Sequence, residues 1–496
     1  MTIFKLTPIA LAMLLTGCAV GPDYQRPGVT TPATFKEAPK SPAGWFPAAP
    51  ADALDRGDWW ALFGDTQLNT LAQQVQVSNQ NVAAAVASYA QARALVSQQR
   101  AALFPSLALD GSARRSGGSG GGGSASGSNG TSLQLGVDAS WVPDLWGRLS
   151  RAVESAQASA QASEADLAAA RLSAQAELAT NYFSLRDADT ELDLLDKSIE
   201  GFDRSFTITK NRYDAGIAAK TDVLQAQTQL ANARADRVTL QGQREQLEHA
   251  IAVLIGKAPA DFSLAAVSTQ APSTQAPTQA PTPTQVAPMV PAVPLVVPSE
   301  LLQRRPDIAA AERAVAAANA QIGIERSAYF PSLSLSASYG TAGSRVPDLF
   351  NASNSLWSLG LSVAQTIFDA GATRAAVQGA EAGRDVAIAR YRQTVLAAFQ
   401  AVEDQLSVSR ALAEQAELRK VASEAADQTE QQLLNRYKQG QVNYTDVVTA
   451  QSSALSARRT LAQLAANRQA AAVALIQALG GGWKVGQPVE RHIETP

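Results

Sequence analysis

Two hydrophobic periods alternate along this chain of 496 residues. One is a period of two. Leu107 and Leu109 alternate with Ser106, Ala108 and Asp110; Leu133, Leu135, Val137, Ala139 and Trp141 then alternate with Ser132, Gln134, Gly136, Asp138 and Ser140. Successive side chains of extended backbone point to opposite faces, so the spacing predicts a β-hairpin with one apolar and one polar face. The alternation returns with Leu333, Leu335, Ala337 and Tyr339 against serines, and with Trp357, Leu359, Leu361 and Val363 against Ser358, Gly360 and Ser362. Strands of roughly 10 residues suit a tilted transmembrane β-strand. A soluble hairpin resting on a core is the alternative.

The second period is seven. Leu178, Leu185, Leu192, Ile199, Phe206 and Tyr213 recur at that spacing, with Leu167, Ala174, Ala188, Leu195 and Phe202 beside them. This is a coiled-coil seam. It lies in a proline-free stretch, 147–212, whose helix would be about 100 Å long at 1.5 Å per residue. A matching stretch at 371–436 carries a weaker seam of Phe399, Val402, Leu406, Leu418, Val421 and Leu433. Residues 68–103 and 221–255 predict helices about half as long, the first stopped by Phe104-Pro105.

These elements occur twice. Arg100-Ala-Ala-Leu-Phe-Pro-Ser-Leu107 returns as Arg326-Ser-Ala-Tyr-Phe-Pro-Ser-Leu333 at an offset of 226. Arg212-Tyr213 with Gly216 returns as Arg436-Tyr437 with Gly440, and Thr221-Asp222-Val223 as Thr445-Asp446-Val447, at an offset of 224. Gly256 and Gly480 keep that offset. Self-similarity in one register over this length marks a duplication. Each copy gives only two strands, and four strands cannot close a barrel, for which about eight is the practical minimum. If the strands span a membrane, several chains must share the barrel.

Composition narrows the picture. Roughly a fifth of the residues are Ala and 6% are aromatic, which favours thin, closely packed helices. Two His and one Cys leave no His/Cys metal cluster, Ser-His-Asp network or disulfide framework to pursue. A net charge of −3 gives no reason to expect nucleic acid. No cofactor and no enzymatic activity are expected. Residues 1–17 have Lys5 and a short apolar run, as a secretory signal does. Leu15-Thr16-Gly17-Cys18 resembles the bacterial lipobox, which implies cleavage before Cys18 and its modification with diacylglycerol and an N-acyl chain. Ala19 in place of Asp favours the outer membrane. The expected organisation is a signal at 1–17, a lipidated irregular segment at 18–67 and repeat 1 at 68–258. A Pro/Thr/Gln-rich linker follows at 259–298, then repeat 2 at 299–482 and a tail at 483–496. The Gly/Ser-rich stretch at 116–130 reads as a surface loop at a hairpin tip.

Three separated motifs carry a family resemblance: Cys18-Ala-Val-Gly-Pro-Asp-Tyr-Gln-Arg-Pro27, Trp59-Trp60-Ala-Leu-Phe63-Gly-Asp65, and Leu301-Leu-Gln-Arg-Arg-Pro-Asp-Ile308. With the duplication, they resemble the outer-membrane efflux lipoproteins, the TolC/OprM-type channels of resistance-nodulation-division pumps, in the NodT branch. The resemblance implies an α+β membrane protein and a homotrimer in outer-membrane lipid. Its twelve-stranded barrel would continue into a periplasmic helical tunnel, met by a periplasmic adaptor and an inner-membrane pump. Drug export is the expected role, with heavy-metal export and type I protein secretion as alternatives. An extracytoplasmic coiled-coil scaffold would leave the alternating hairpins unexplained, and a carboxylate hydrolase would leave the repeat unexplained.

The helix-to-helix turns are the candidate functional residues: Arg212, Tyr213, Gly216 and Asp222 in repeat 1, Arg436, Tyr437, Gly440 and Asp446 in repeat 2. Locally, each Gly reads as a left-handed helix stop, Thr221 and Thr445 as caps, and each Asp as a first-turn partner of the helix dipole. The resemblance adds that these turns form the closed periplasmic entrance, with Arg, Tyr and Asp bonding between helices. Many relatives carry a further Asp where this chain has Gln225 and Thr449, so an acidic ring here rests on Asp222 and Asp446.

Overall fold

The computed structural model describes residues 20–32, 34–38, 56–116, 130–266, 290 and 305–481. The signal, Cys18, the Gly/Ser-rich loop, nearly all of the Thr/Gln/Pro stretch and the tail lie outside the described residues. Repeat 1 supplies α1 (Thr66–Ser78), α2 (Gln80–Ala101), β1 (Ser106–Ser116), β2 (Gly130–Trp141), α3 (Arg148–Asp214) and α4 (Lys220–Leu254). Repeat 2 supplies α5 (Pro306–Arg326), β3 (Ser332–Gly343), β4 (Ser355–Ala364), α6 (Ala372–Lys438) and α7 (Tyr444–Ala478). The duplication is kept to the residue in the later helices: α3 and α6 have 67 residues each, α4 and α7 have 35 each. The chain forms two compact units, one of Met1–Val29, Ser88–Glu164 and Ala310–Gln393, the other of Thr30–Ala87, Ala165–Ala309 and Thr394–Pro496.

The first unit holds a four-stranded antiparallel sheet in chain order, β1-β2-β3-β4. Its register sets like against like: Leu335 opposes Leu361, Tyr339 opposes Trp357 and Leu109 opposes Val137. On the other face, hydroxyl pairs join Ser106 to Ser140 at 2.8 Å, Ser334 to Ser362 at 2.6 Å and Ser338 to Ser358 at 2.8 Å. The apolar face is bare. Leu107, Leu359 and Trp357 are 75%, 76% and 77% exposed. A soluble hairpin would bury that face on a core, so the soluble alternative fails.

Each long helix starts on an Asp that the sequence reading passed over. The Asp144 carboxylate accepts from the amides of Leu149 and Ser150 at 3.0 and 2.7 Å. Asp369 accepts from Gly371 and Thr373 at 2.9 and 2.7 Å. Both satisfy orphan helix donors. The expected irregular segment at 18–67 holds a 3-10 helix at Arg56–Phe63 and the start of α1, whereas residues 20–32 lack regular structure and are fixed at their start along this unit. The Val20 amide donates to the Trp146 carbonyl at 3.0 Å, Asp23 pairs with Arg151 at 2.8 Å, and the Tyr24 hydroxyl donates to Glu312. A Cβ on Gly21, which has φ +112, would meet the backbone of Gly323, so these two glycines let the strap lie flat on its helix.

In the second unit the seam of α3 is buried at Leu167, Ala174, Leu178, Leu185, Ala188, Leu192, Leu195 and Phe202, with Ile199 half-buried, and its stretch from Ala188 to Phe202 packs against Leu230, Ala233, Leu240 and Leu455 of α4 and α7. Its last position, Tyr213, is 42% exposed. The weaker seam of α6 is corrected in part. Phe399, Val402 and Leu406 are buried, whereas Leu418 and Val421 are 72% and 65% exposed, on a face of α6 that no described residue covers. A second correction concerns residues 68–103, which form two helices and not one. Asn79 breaks them with extended backbone (φ −67, ψ 125). Its Oδ1 accepts from the amides of Asn81 and Val82 at 2.9 and 3.1 Å, and its Nδ2 donates to the Leu254 carbonyl at 2.8 Å. One side chain thus caps α2 and ties it to the end of α4. At that point Gly256, at φ +71, lies against Ser78, where any Cβ would collide with the carbonyl.

The three motifs are packing devices. Trp59, Trp60 and Phe63 are buried, with the Phe63 ring 4.9 Å from that of Phe183. Asp65 caps α1 through the Gln67 and Leu68 amides and accepts from the Tyr182 hydroxyl at 2.6 Å. Arg305 pairs with Asp307 and donates to the Ala478 carbonyl at 2.8 Å, closing repeat 2 on itself. Replacing Asn79 with Ala is expected to cost about 1–3 kcal/mol, for a lost cap and a buried carbonyl left unpaired. Asn79→Asp keeps the cap acceptor and should fall between. Thermal unfolding of the purified protein checks this; a wild-type melting point for Asn79→Ala would remove the capping and tying role of its side chain.

Candidate functional site

The two helix-to-helix turns meet in the second unit. Each long helix ends at a glycine with left-handed backbone, Gly216 at φ +74 and Gly440 at φ +76. The closing bonds match: Gly216 N–H to the Tyr213 carbonyl at 2.8 Å and Ile217 N–H to Arg212 at 2.8 Å, against Gly440 to Tyr437 at 2.9 Å and Gln441 to Arg436 at 2.9 Å. These are the two carbonyl bonds of a Schellman stop. The next helices are capped differently from expectation. Their cap positions are Ala219 and Asn443, neither with a side-chain capping bond, and Thr221 and Thr445 lie inside the helices. Thr445 donates across to Gln225 at 3.3 Å. Asp222 and Asp446 do sit in the first turns, where the helix dipole favours an anion.

Identical backbones carry unequal side-chain surroundings. Arg212 of turn 1 reaches turn 2: its guanidinium lies 4.7 Å over the Tyr437 ring and donates to the Tyr437 carbonyl at 2.6 Å. Tyr437 is buried, its hydroxyl 3.3 Å from the Thr209 hydroxyl and its ring 5.1 Å from that of Tyr444. Val447 and Ala226 complete this cluster. Burial, then the neighbouring Tyr437 and Asp222, push the Tyr444 phenol up to about 12. The counterparts are open. Tyr213 is exposed, as are Arg436 and Asp446, and among the described residues none of the three has a side-chain hydrogen bond or ion pair within the chain. The structure therefore brings Arg212 onto Tyr437, with the Asp222 charge felt at the adjoining Tyr444, and leaves Tyr213, Arg436 and Asp446 apart. Tyr444 was missed by the sequence reading. Its signal lies in the repeat alignment, where it replaces Lys220.

Both repeats, at residues 71–257 and 297–481, match the family model described as Outer membrane efflux protein. The chain belongs to that family. It is 30% identical to the cation efflux system protein CusC of Escherichia coli O6:H1 over 485 residues, 97% of this chain and 99% of that protein. It is also 30% identical to the toluene efflux pump outer membrane protein TtgC of Pseudomonas putida over 507 residues, with both chains fully covered. The solved structure of the outer-membrane channel OprN is similar at a TM-score of 0.81 and 32% identity, covering 94% of this chain and 100% of that one. The efflux channel is thus an outer-membrane exit duct built from long helices and four strands per chain.

Above the turns, ionic contacts cross-link the helices. Arg244 is buried and pairs with Asp189 at 2.6 Å and Glu248 at 2.7 Å, and donates to the Leu264 carbonyl at 2.5 Å. Arg459 of α7 pairs with Glu191 at 2.9 Å and lies 4.0 Å from Asp236 of α4. Asp187, one turn before Glu191, is half-buried; burial, then the Glu191 charge, push its carboxyl up to about 7. A carboxyl raised this way binds its proton more tightly folded than unfolded. Its contribution is complete below the unfolded value near 4 and is lost as pH rises through about 7. Asp187→Asn is expected to flatten that part of the curve, so that the variant melts above wild type at pH 8 and close to it at pH 4. Parallel pH profiles of the two curves would show Asp187 to be uninvolved.

Proposed function

We propose that this efflux channel works as a homotrimer with a closable ring of turns at its periplasmic end. The observation that carries it is the sheet: among the described residues β1 and β4 each have one unpaired edge, and nothing covers the apolar face that runs across the four strands. Open edges and bare apolar surface are both costly in water. Pairing β4 of each subunit with β1 of the next satisfies every edge, and three chains give twelve strands. The polar serine face lines the lumen and the leucine face meets outer-membrane lipid. Exposed Leu418 and Val421 give α6 a second surface for a neighbour.

The turns support the gate. Within one chain Arg212 seals turn 1 against Tyr437 of turn 2. Their repeat equivalents, Arg436 and Tyr213, are left over, and a ring of three chains sets each Arg436 against Tyr213 of the partner subunit. The entrance is thus closed by six Arg–Tyr contacts of two kinds, and opens when a periplasmic adaptor carrying an inner-membrane resistance-nodulation-division pump engages it. Lipidation of Cys18 fits the strap: Val20, two residues on, is bonded to Trp146 just past the end of β2. The relatives named above are called after a cation and after toluene at the same identity, so likeness in the duct does not select among cargoes.

Contacts of this kind are worth about 0–1 kcal/mol each and three of a kind lie in the ring, so loss of one kind should raise the open fraction by up to about a hundredfold without dissociating the trimer. Arg212→Ser with Tyr437→Phe, and separately Arg436→Ser with Tyr213→Phe, are expected to raise single-channel conductance in planar bilayers, with the trimer mass unchanged. Wild-type conductance in both pairs, beside a lowered melting point, would make the turns structural stops only. Mass spectrometry of the mature N-terminus is expected to give a triacylated Cys18, and Cys18→Ser an unlipidated chain. An unmodified wild-type Cys18 would refute the anchor.

A further inference from the structure

A cavity of about 400 Å³ lies just above the turns, between α3, α6 and α7. Its lining includes four cations, Lys197 and Arg204 from α3, Lys438 from α6 and Arg458 from α7, against one carboxylate, Glu430. Two of the cations are neutralised: Lys197 by Asp193 at 2.6 Å, and Arg458 by Asp427 and Glu430, each at 2.7 Å. Arg204 and Lys438 have no anionic partner among the described residues. Gln451, 3% exposed, lines the same cavity. One end of its amide meets the Ser205 hydroxyl at 3.3 Å, and the other end has no partner. A buried amide group left unpaired is unfavourable unless a ligand or water completes it. Because the serine hydroxyl can donate or accept, the amide can turn to present its N–H₂ to an anion. Gly201 also lines the cavity, in the interior of α3, where glycine costs about 1 kcal/mol relative to alanine. A Cβ there would meet nothing, so packing does not require the glycine. What its absence of a side chain provides is room.

We propose that this cavity is a binding site for a compact polyvalent oxyanion, a phosphate group or clustered carboxylates, held by Arg204 and Lys438 with the Gln451 amide. Such a ligand neutralises two cations and bridges α3 to α6 directly above the turns, so its occupancy favours the closed arrangement. Binding at the site depends on neither the lipid anchor nor the Arg–Tyr contacts, whereas its effect on closure rests on the gate proposed above. Full-length protein in maltoside micelles, titrated calorimetrically with inorganic phosphate and separately with citrate against chloride at equal ionic strength, tests it. Saturable binding of at least one anion is expected, weakened at least tenfold in Arg204→Gln/Lys438→Gln, which removes two charge-assisted contacts from an exposed rim. Gly201→Leu keeps all charges and fills the space, and is expected to weaken binding equally while the protein melts no lower than wild type. Absence of saturable heat, or binding unchanged in both variants, would overturn the proposal. So would loss of a bound protein partner in the double variant when wild type binds neither anion, because the cations would then serve acidic side chains of that partner.

Discussion

The structure depends on one unmet requirement: backbone hydrogen bonds at the two edges of a four-stranded sheet. β1 and β4 are 11 and 10 residues long, too long to be blunted by shortness, and they carry no proline. Proteins that keep such edges in water cover, charge or twist them. Here the register spends its complementarity on leucine against leucine on one face and serine against serine on the other, which makes sense only when the faces meet different solvents. The apolar side chains are not a core that failed to form; lipid is the phase that accepts them. Closure by copies of the same chain then solves the edge problem and the lumen problem together.

Duplication supplies the matched long helices, but duplication alone would give a chain with two equivalent turns. The turns are equivalent in backbone, down to the glycine angles and the closing carbonyl bonds, and differ in what surrounds them. Tyr444, where the first copy has Lys220, fills the space beneath Tyr437 and buries it, which lets Arg212 close over the outside. The first copy's Tyr213 has no such floor. One substitution between copies thus turns a symmetric pair into a contact made within the chain and an exposed Tyr213.

The polar groups that hold the second unit together are mostly buried or half-buried and multiply bonded. Arg244 satisfies two carboxylates and a carbonyl, and Asp65 caps a helix while accepting from a tyrosine. Such networks contribute only when every member is satisfied, since a buried charge losing its partner costs more than the pair gains. That explains why the motif residues cluster where chain segments distant in sequence must be pinned.

Much of this fold was legible in the sequence because its two periods are geometric consequences of local backbone. Alternation gave the four strands and their two faces, the seven-residue spacing gave the buried seam of α3, and the repeat offset gave helices of matching length. The glycines of the turns were legible for the same reason, since a left-handed stop is a local event. Tertiary structure decided the rest. Asn79 splits a helix because its side chain finds the Leu254 carbonyl, a partner 175 positions away that no local pattern marks. Leu418 and Val421 keep the period of a seam but lie bare, because period fixes which side chains share a face and not whether anything packs there. Arg212 and Tyr437 were singled out one by one, yet their union across 225 positions, and the isolation of Tyr213 and Arg436, followed only when the two copies were laid against each other.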